Sequence, residues 1–181
     1  SNADGSYTVK PEVDTDEITN YEFGWKTITK DGQLRFNGSA FYVDVTGLQS
    51  TIFDPSIVNL FFSDNAADAT IKGVEGDFTY YTNVEGLSVA GAFSFLDTEI
   101  TEKLVPTGDV IVGEELAFAP GMQGNIRVRQ EFGMAGGNLG HFQLQFTYSD
   151  DSYSDIMEPN KARQASYCLL YTSDAADDDR S

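Results

Sequence analysis

One cysteine in 181 residues forbids a disulfide within the chain, and one histidine excludes every multi-histidine metal centre. Basic residues are scarce: 11 Lys and Arg stand against 29 Asp and Glu, a formal charge of -18. A nucleic-acid binder needs a basic surface to neutralise phosphates, so this composition argues against nucleic acid as a partner. No apolar run approaches the roughly 18 residues of a membrane helix. Helical periodicity is nearly absent. No signal peptide is expected at the start; Ser1-Asn2-Ala3 reads as the scar of a cleaved expression tag, and residues 1–9 are set apart as scar and leader.

Aromatics, at 13%, and apolar residues, at 40%, are too many for a wholly disordered chain. They alternate with polar residues in segment after segment. Leu87, Val89, Phe93 and Phe95 share one parity, and Ser88, Ala90, Ala92 and Ser94 the other. Phe142, Leu144, Phe146 and Tyr148 alternate with His141, Gln143, Gln145 and Thr147. Ile126 and Val128 alternate with Arg127 and Arg129; Val74, Phe78 and Tyr80 with Glu75, Asp77 and Thr79; Tyr21, Phe23 and Trp25 with Glu22, Gly24 and Lys26. This is the period of strands. From Gln33 to Gln49 the apolar parity starts on Leu34 and Phe36 and ends on Phe41, Val43 and Val45, which predicts a bulge at Gly38-Ser39-Ala40.

The connections alternate too. Asp31-Gly32 predicts a two-residue hairpin turn, Asn83 to Gly86 a second tight turn, and Met134 to Asn138 a third. Between them fall longer loops at residues 50–66, 101–120 and 153–161. Tight turns at one end and long loops at the other mark the meander of membrane barrels. The segments, about 12–16 residues each, exceed the usual 5–6 of globular strands. The expected fold is all-β: an antiparallel up-and-down meander of about seven strands. It forms part of a transmembrane β-barrel, or a small barrel or curled sheet when isolated. Alternation alone leaves open a soluble β-barrel or β-sandwich ligand-binding module with one solvated face.

Ordered stretches of the sequence resemble one family. Glu17-Ile18-Thr19-Asn20-Tyr21-Glu22-Phe23-Gly24-Trp25-Lys26 resembles the E-x-x-x-N-Y-E-x-G-x-K strand of TonB-dependent outer-membrane receptors. Asp31-Gly32-Gln33-Leu34-Arg35-Phe36-Asn37-Gly38-Ser39-Ala40-Phe41-Tyr42 is similar to that family's D-G-R-L-R-x-N-x-A-x-F-Y hairpin, and Asp44 and Leu48-Gln49 continue it. Asn65-Ala66-Ala67-Asp68-Ala69, then Gly73-Val74-Glu75-Gly76, resembles N-A-G-x-A…G-x-E. Gly86-Leu87 with Asp97-Thr98-Glu99, Ser152-Tyr153-Ser154-Asp155 and Asn160 to Tyr167 follow in order. The resemblance covers about residues 10–167. It implies an outer-membrane barrel of a Gram-negative bacterium that takes up a scarce nutrient such as a siderophore, cobalamin or sugar. The implied partners are outer-membrane lipid, a plug domain, the TonB energy-coupling protein and a small-molecule nutrient. No plug and no TonB-contacting segment is read here. Seven strands fall short of the family's roughly 22, so the chain is expected to be a barrel fragment that does not transport alone.

A second resemblance concerns the end of the chain. Cys168-Leu169-Leu170-Tyr171-Thr172-Ser173-Asp174-Ala175-Ala176-Asp177-Asp178 reads like the translation of a transposon-type sequencing adapter. Residues 168–181 are therefore expected to be an artefactual acidic tail, with residues 173–181 making no packed contact with the sheet.

The candidate contacts to a plug or a passing ligand are Glu75, Asp77, Arg127, Arg129, Gln143 and Gln145, which share the polar parity. A solvated face is the plainer reading of all six. Phe53, Phe61 and Phe62, placed in the loop at 50–66, are candidate surface contacts to a ligand, with loop packing as the alternative. His141 has no nucleophile motif near it, and Glu75 with Asp77 gives no sign of a glycosidase acid–base pair, so an enzyme is the least favoured reading. Gly133, Gly136, Gly137 and Gly140 lack dinucleotide-loop spacing. Asp14, Asp16, Asp54, Asp64 and Asp68 lack EF-hand spacing, so no metal and no cofactor is expected. Asn37-Gly38-Ser39 matches a glycosylation sequon by accident. An unclosed barrel wall also predicts self-association through its edges or its apolar face.

Overall fold

The computed structural model describes residues 13–54, 60–105 and 109–177, without the side chains of residues 52–54, 60–62 and 175–177. Its strands are β1 (Glu17–Ile28), β2 (Leu34–Asp54), β3 (Leu60–Tyr81), β4 (Leu87–Lys103), β5 (Met122–Gly133), β6 (Leu139–Ser149), β7 (Ser152–Tyr153), β8 (Arg163–Gln164) and β9 (Tyr167–Asp177). Seven of them form one sheet in the order β1-β2-β3-β4-β5-β6-β9, every pair antiparallel. β7 and β8 form a separate two-stranded ribbon, followed and preceded by the connection that holds a single 3-10 turn at Glu158–Asn160. The sheet is not closed: β1 and β9 are its edges.

The three tight connections lie at one end, as alternation required. The first differs in detail from the two-residue turn expected at Asp31-Gly32. The Gly32 N–H donates to the Thr29 carbonyl at 2.8 Å, and the Thr29 N–H to the Leu34 carbonyl at 2.9 Å. Gly32 closes this turn with φ +71°, a left-handed position a glycine adopts without strain. Asp31 sits inside the turn and accepts from the Thr29 hydroxyl and the Gln33 N–H.

The predicted bulge at Gly38-Ser39-Ala40 is not there. Register runs unbroken through those residues on both neighbours. The apolar residues change side because the environment changes, not the parity. Near the tight turns Phe36 faces outward; beyond Phe41 the inner face becomes apolar because the long connections fold over it. On that face Val45 lies beside Ala69, and Ala69 beside Ile100. Ile100 joins Ala66, Ala67, Val105, Val110, Ile156 and Met157 in the buried core. The real register shifts lie between Val45 and Leu48 and between Leu48 and Gln49.

The expected loop at 50–66 is also mostly strand. β2 and β3 stay paired out to Asp54 and Leu60, with Phe53 opposite Phe61 and Ile52 opposite Phe62, so these phenylalanines are on strands and not in a loop. Residues 55–59 are outside the described set. The other two long connections close over the sheet end. The Ile100 N–H donates to the Glu114 carbonyl at 2.8 Å, and the Gly113 N–H to the Ile100 carbonyl at 2.9 Å. These bonds satisfy β4 where it outruns β5, whose pairing stops at Phe95 and Met122.

The tail does not stand apart as expected. β9 pairs with β6 from Tyr167 opposite Ser149 to Asp177 opposite Leu139, so residues 173–177 are laddered. A ladder uses backbone N–H and C=O groups, which small and acidic residues supply as well as any other. The side chains of residues 167–174 are exposed nonetheless.

Candidate functional site

The register turns the sequence parities into two faces. On one face lie two rungs: Lys26, Asn37, Asp77, Ala92, Asn125 and Thr147 in sequence across β1 to β6, and beside them, across all seven strands, Gly24, Ser39, Glu75, Ser94, Gln123, Ser149 and Tyr167. These residues line a groove of 820 Å³ that spans every strand of the main sheet. The sheet therefore curves with its polar face inside. Two carboxylates in the groove are held in place. Asn37 Nδ2 donates to both Asp77 oxygens at 3.1 and 3.2 Å, and Ser39 Oγ donates to Glu75 Oε1 at 3.2 Å.

All six residues read from parity lie on this face, but not together. Glu75 and Asp77 are in the groove. Arg127 and Arg129 are nearer the tight turns, opposite Gln145 and Gln143. Arg129 Nε pairs with Glu131 Oε1 at 2.9 Å, a half-exposed ion pair of small energetic weight. The polar face thus has an acidic patch on β3 and a basic patch on β5. The sequence reading missed Glu22, Lys26, Asn37, Ser39, Gln123 and Asn125 as groove residues. Their strand parity was legible; their alignment across strands required the register.

The opposite face is convex and apolar. Phe23, Phe95, Phe142 and Phe146 are exposed on it, and Trp25, Phe36 and Phe93 are half-buried against one another. Its backbone partners are often glycine. The Trp25 indole covers Gly38, the Phe93 ring covers Gly76 and the Phe78 ring covers Gly91, each where a Cβ would stand. On β4 the outward residues from Leu87 to Phe95 carry no charge, and the stretch ends at Asp97, which pairs with Lys72 at 3.8 Å. At about 3.3 Å per residue and a tilt of about 40°, that stretch spans roughly 20 Å, near the roughly 25 Å apolar band of membrane barrels. No helix among the described residues is long and apolar enough to cross a membrane, which says nothing of strands.

At the long-connection end two further features stand out. Lys161, its side chain 11% exposed, pairs with Glu114, reaches Glu158 Oε1 at 2.9 Å and sits 4.4 Å from the centre of the Tyr153 ring. This clamps the β4–β5 connection to the β6–β9 connection. Phe118 is the non-glycine residue with positive φ, 55°, among those described, and it is held by its N–H to the Tyr153 carbonyl at 2.8 Å. Its ring is exposed at the rim of a 400 Å³ groove lined by Leu48, Leu116, Ala117 and Ile156 with Gln49, Ser50, Thr51, Ser154 and Asp155. A single Phe in a long loop gives no sequence signal for such a backbone. In the same region Arg163 Nε bonds Asp151 Oδ2 at 2.8 Å and holds that carboxyl below the usual carboxylate range. No group of three or more His, Cys, Asp or Glu among the described residues is arranged to hold a metal ion.

One open antiparallel sheet with a wet concave face and an aromatic band on its convex face, uncharged along β4 from Leu87 to Phe95, defines a segment of membrane-barrel wall. The chain belongs to the TonB-dependent receptor-like β-barrel family, whose model matches residues 2–175. It is similar in structure to the ferric yersiniabactin uptake receptor FyuA from Yersinia pestis, with a TM-score of 0.66, 20% identity and coverage of 87% of this chain and 22% of that one. The siderophore receptor PiuA from Acinetobacter baumannii gives 0.63, 18% identity and coverage of 87% and 22%. BauA, the ferric preacinetobactin receptor from Acinetobacter baumannii, gives 0.61, 20% identity and coverage of 86% and 22%. The chain therefore spans about a fifth of the length of these structures. No curated protein sequence matches it.

Proposed function

We propose that the chain is part of the barrel wall of an outer-membrane receptor in a Gram-negative bacterium, and that the intact receptor imports a ferric siderophore. The observation that carries the reading is the pairing of faces: a polar groove inside and an uncharged aromatic band outside, on a chain of this family. FyuA, PiuA and BauA are siderophore or ferric-siderophore receptors, which favours an iron chelate over cobalamin or sugar as the nutrient. In this reading Glu75, Asp77, Arg127, Arg129, Gln143 and Gln145 face a plug or the passing nutrient. Phe53, Phe61 and Phe62, with Phe118, serve the nutrient at the long-connection end. A plug, the TonB energy-coupling protein and lipid are the partners of the intact receptor, no enzymatic step is needed, and the segment alone does not transport. Residues 168–181 are foreign to the receptor, and the pairing of residues 168–177 with β6 needs only backbone groups.

A sandwich module would cover its aromatic face with a second sheet, and among the described residues no second layer lies there. The test is growth of a Gram-negative host on chelated iron as sole iron source. The host carries the full-length receptor gene that contains this segment, with or without residues 13–167 deleted. Growth lost on deletion supports the reading; growth unchanged overturns it.

A further inference from the structure

Phe118 stands where stability favours glycine. Its φ of 55° is left-handed, an outlier for a bulky side chain, and its ring is 72% exposed, so little packing offsets the strain. The chain around it is tied down. The Leu116 N–H donates to Thr98 Oγ1 at 3.0 Å, and the Phe118 N–H donates to the Tyr153 carbonyl at 2.8 Å. Thr98 shares the parity of Ala92 and Ser94, so this connection crosses the groove face of β4. The 400 Å³ groove beside the ring is walled by the end of β2 and by two connections, all within this chain. Closing the barrel adds strands at β1 and β9 and leaves those walls in place. Long connections mark the outer-surface end of a membrane barrel, which puts this groove at the mouth of the lumen.

The lining selects the chemistry of an occupant. Leu48, Leu116 and Ala117 pack with Ile156 on the buried core and give the groove an apolar floor. No Lys or Arg lines it, and its single ionisable group, Asp155, already accepts the Met157 N–H at 3.0 Å. An anionic group would meet that carboxylate with no cation to offset it. The volume is at the low end of pockets that bury a drug-sized ligand, so it suits one arm of a larger molecule. We propose that Phe118 and this groove receive an uncharged aryl arm of the ferric chelate that the intact receptor imports. The arm lies on the apolar floor and packs its ring against that of Phe118, an aromatic pair that favours an aryl arm over an alkyl one. Glycine at position 118 would relieve the strain and remove the ring, so the strain is the cost of presenting it. The inference rests on the transport reading and names the part of the nutrient that this end of the chain contacts.

The experiment is calorimetric titration of the full-length receptor that contains this segment, purified in detergent, with two probes. Ferric tris(benzohydroxamate) and ferric tris(acetohydroxamate) are both uncharged and differ only in phenyl against methyl arms. The wild-type receptor should bind the phenyl chelate roughly tenfold more tightly. Phe118→Gly should bring the two dissociation constants to within about twofold while the thermal midpoint holds or rises, and Phe118→Tyr should keep the preference. A wild-type receptor without the preference, a preference that survives Phe118→Gly, or a midpoint that falls in Phe118→Gly overturns the proposal, the last because the ring would then be packing within the receptor. Growth that depends on residues 13–167 together with equal binding of the two chelates refutes this inference alone. Growth that ignores the deletion refutes the transport reading and this inference with it.

Discussion

Asn65 holds Gly47 in the bulge of β2: its Nδ2 donates to the Gly47 carbonyl at 2.6 Å. The same amide donates to the Asp14 carbonyl at 2.8 Å, and its Oδ1 accepts from the Asp14 N–H at 2.9 Å. Asp68 Oδ1 takes the Gly47 N–H at 2.8 Å, so two side chains of β3 satisfy the residue that leaves the ladder. Gly47 is left-handed, φ +74°, the conformation of a bulge glycine.

Asn65→Ala should therefore cost about 2–4 kcal/mol, since it strands buried partners on both Gly47 and the approach to β1. Urea unfolding in detergent reads this directly. A cost below about 0.5 kcal/mol would mean that water replaces the amide.

The glycines under aromatic rings should be intolerant in proportion to the space they leave. A methyl at Gly38 meets the Trp25 ring and, at 2.7 Å, the Glu75 carbonyl, whereas at Gly24 the nearest atom is the Gly38 carbonyl at 3.7 Å. Gly38→Ala is expected to cost about 1–3 kcal/mol and Gly24→Ala to be nearly neutral. Equal thermal midpoints for the two variants would contradict this account of the outer face.

Phe118 carries strain that its exposed ring does not repay by packing. Phe118→Gly should stabilise the chain by about 1 kcal/mol, because glycine adopts this φ freely. A drop in stability would show that the ring packs in solution.

The Lys161 clamp should hold two connections at once. Lys161→Met leaves the partly exposed carboxylates of Glu114 and Glu158 without their shared cation and, because water still solvates them, should cost only about 1 kcal/mol locally. Hydrogen exchange should quicken together at the amides of Ile100, Gly113 and Glu158, which bond across these connections. Quickening on one connection alone would show that they are not coupled.

The Asp151 carboxyl, depressed by the Arg163 hydrogen bond, gives a signed pH dependence. A depressed carboxyl stabilises the fold above its unfolded pKa, and that contribution is lost as pH falls through the folded pKa. NMR titration should find Asp151 below the ordinary carboxylate range, and Arg163→Gln should move it back up. A midpoint that ignores Arg163→Gln would mean the ion pair does not persist in solution.

Strand existence, the tight-turn end and the division into a polar and an apolar face were all determined by the sequence, because a strand's side chains alternate with a period of 2 whatever lies beside it. Glu75 and Arg127 could be placed on one face in this way before any partner was known. Tertiary structure alone decided what lies across from what. Asn37 comes to Asp77 and Ser39 to Glu75 only through register, which is a relation between segments about 40 residues apart. Register also moved the bulge from Gly38 to Gly47, and the apolar run from Phe41 to Val45 misled because folded connections, not a change of pleat, cover that face. The fate of residues 50–54 and 60–66 and of the tail followed from backbone pairing, and backbone groups leave no mark in a sequence.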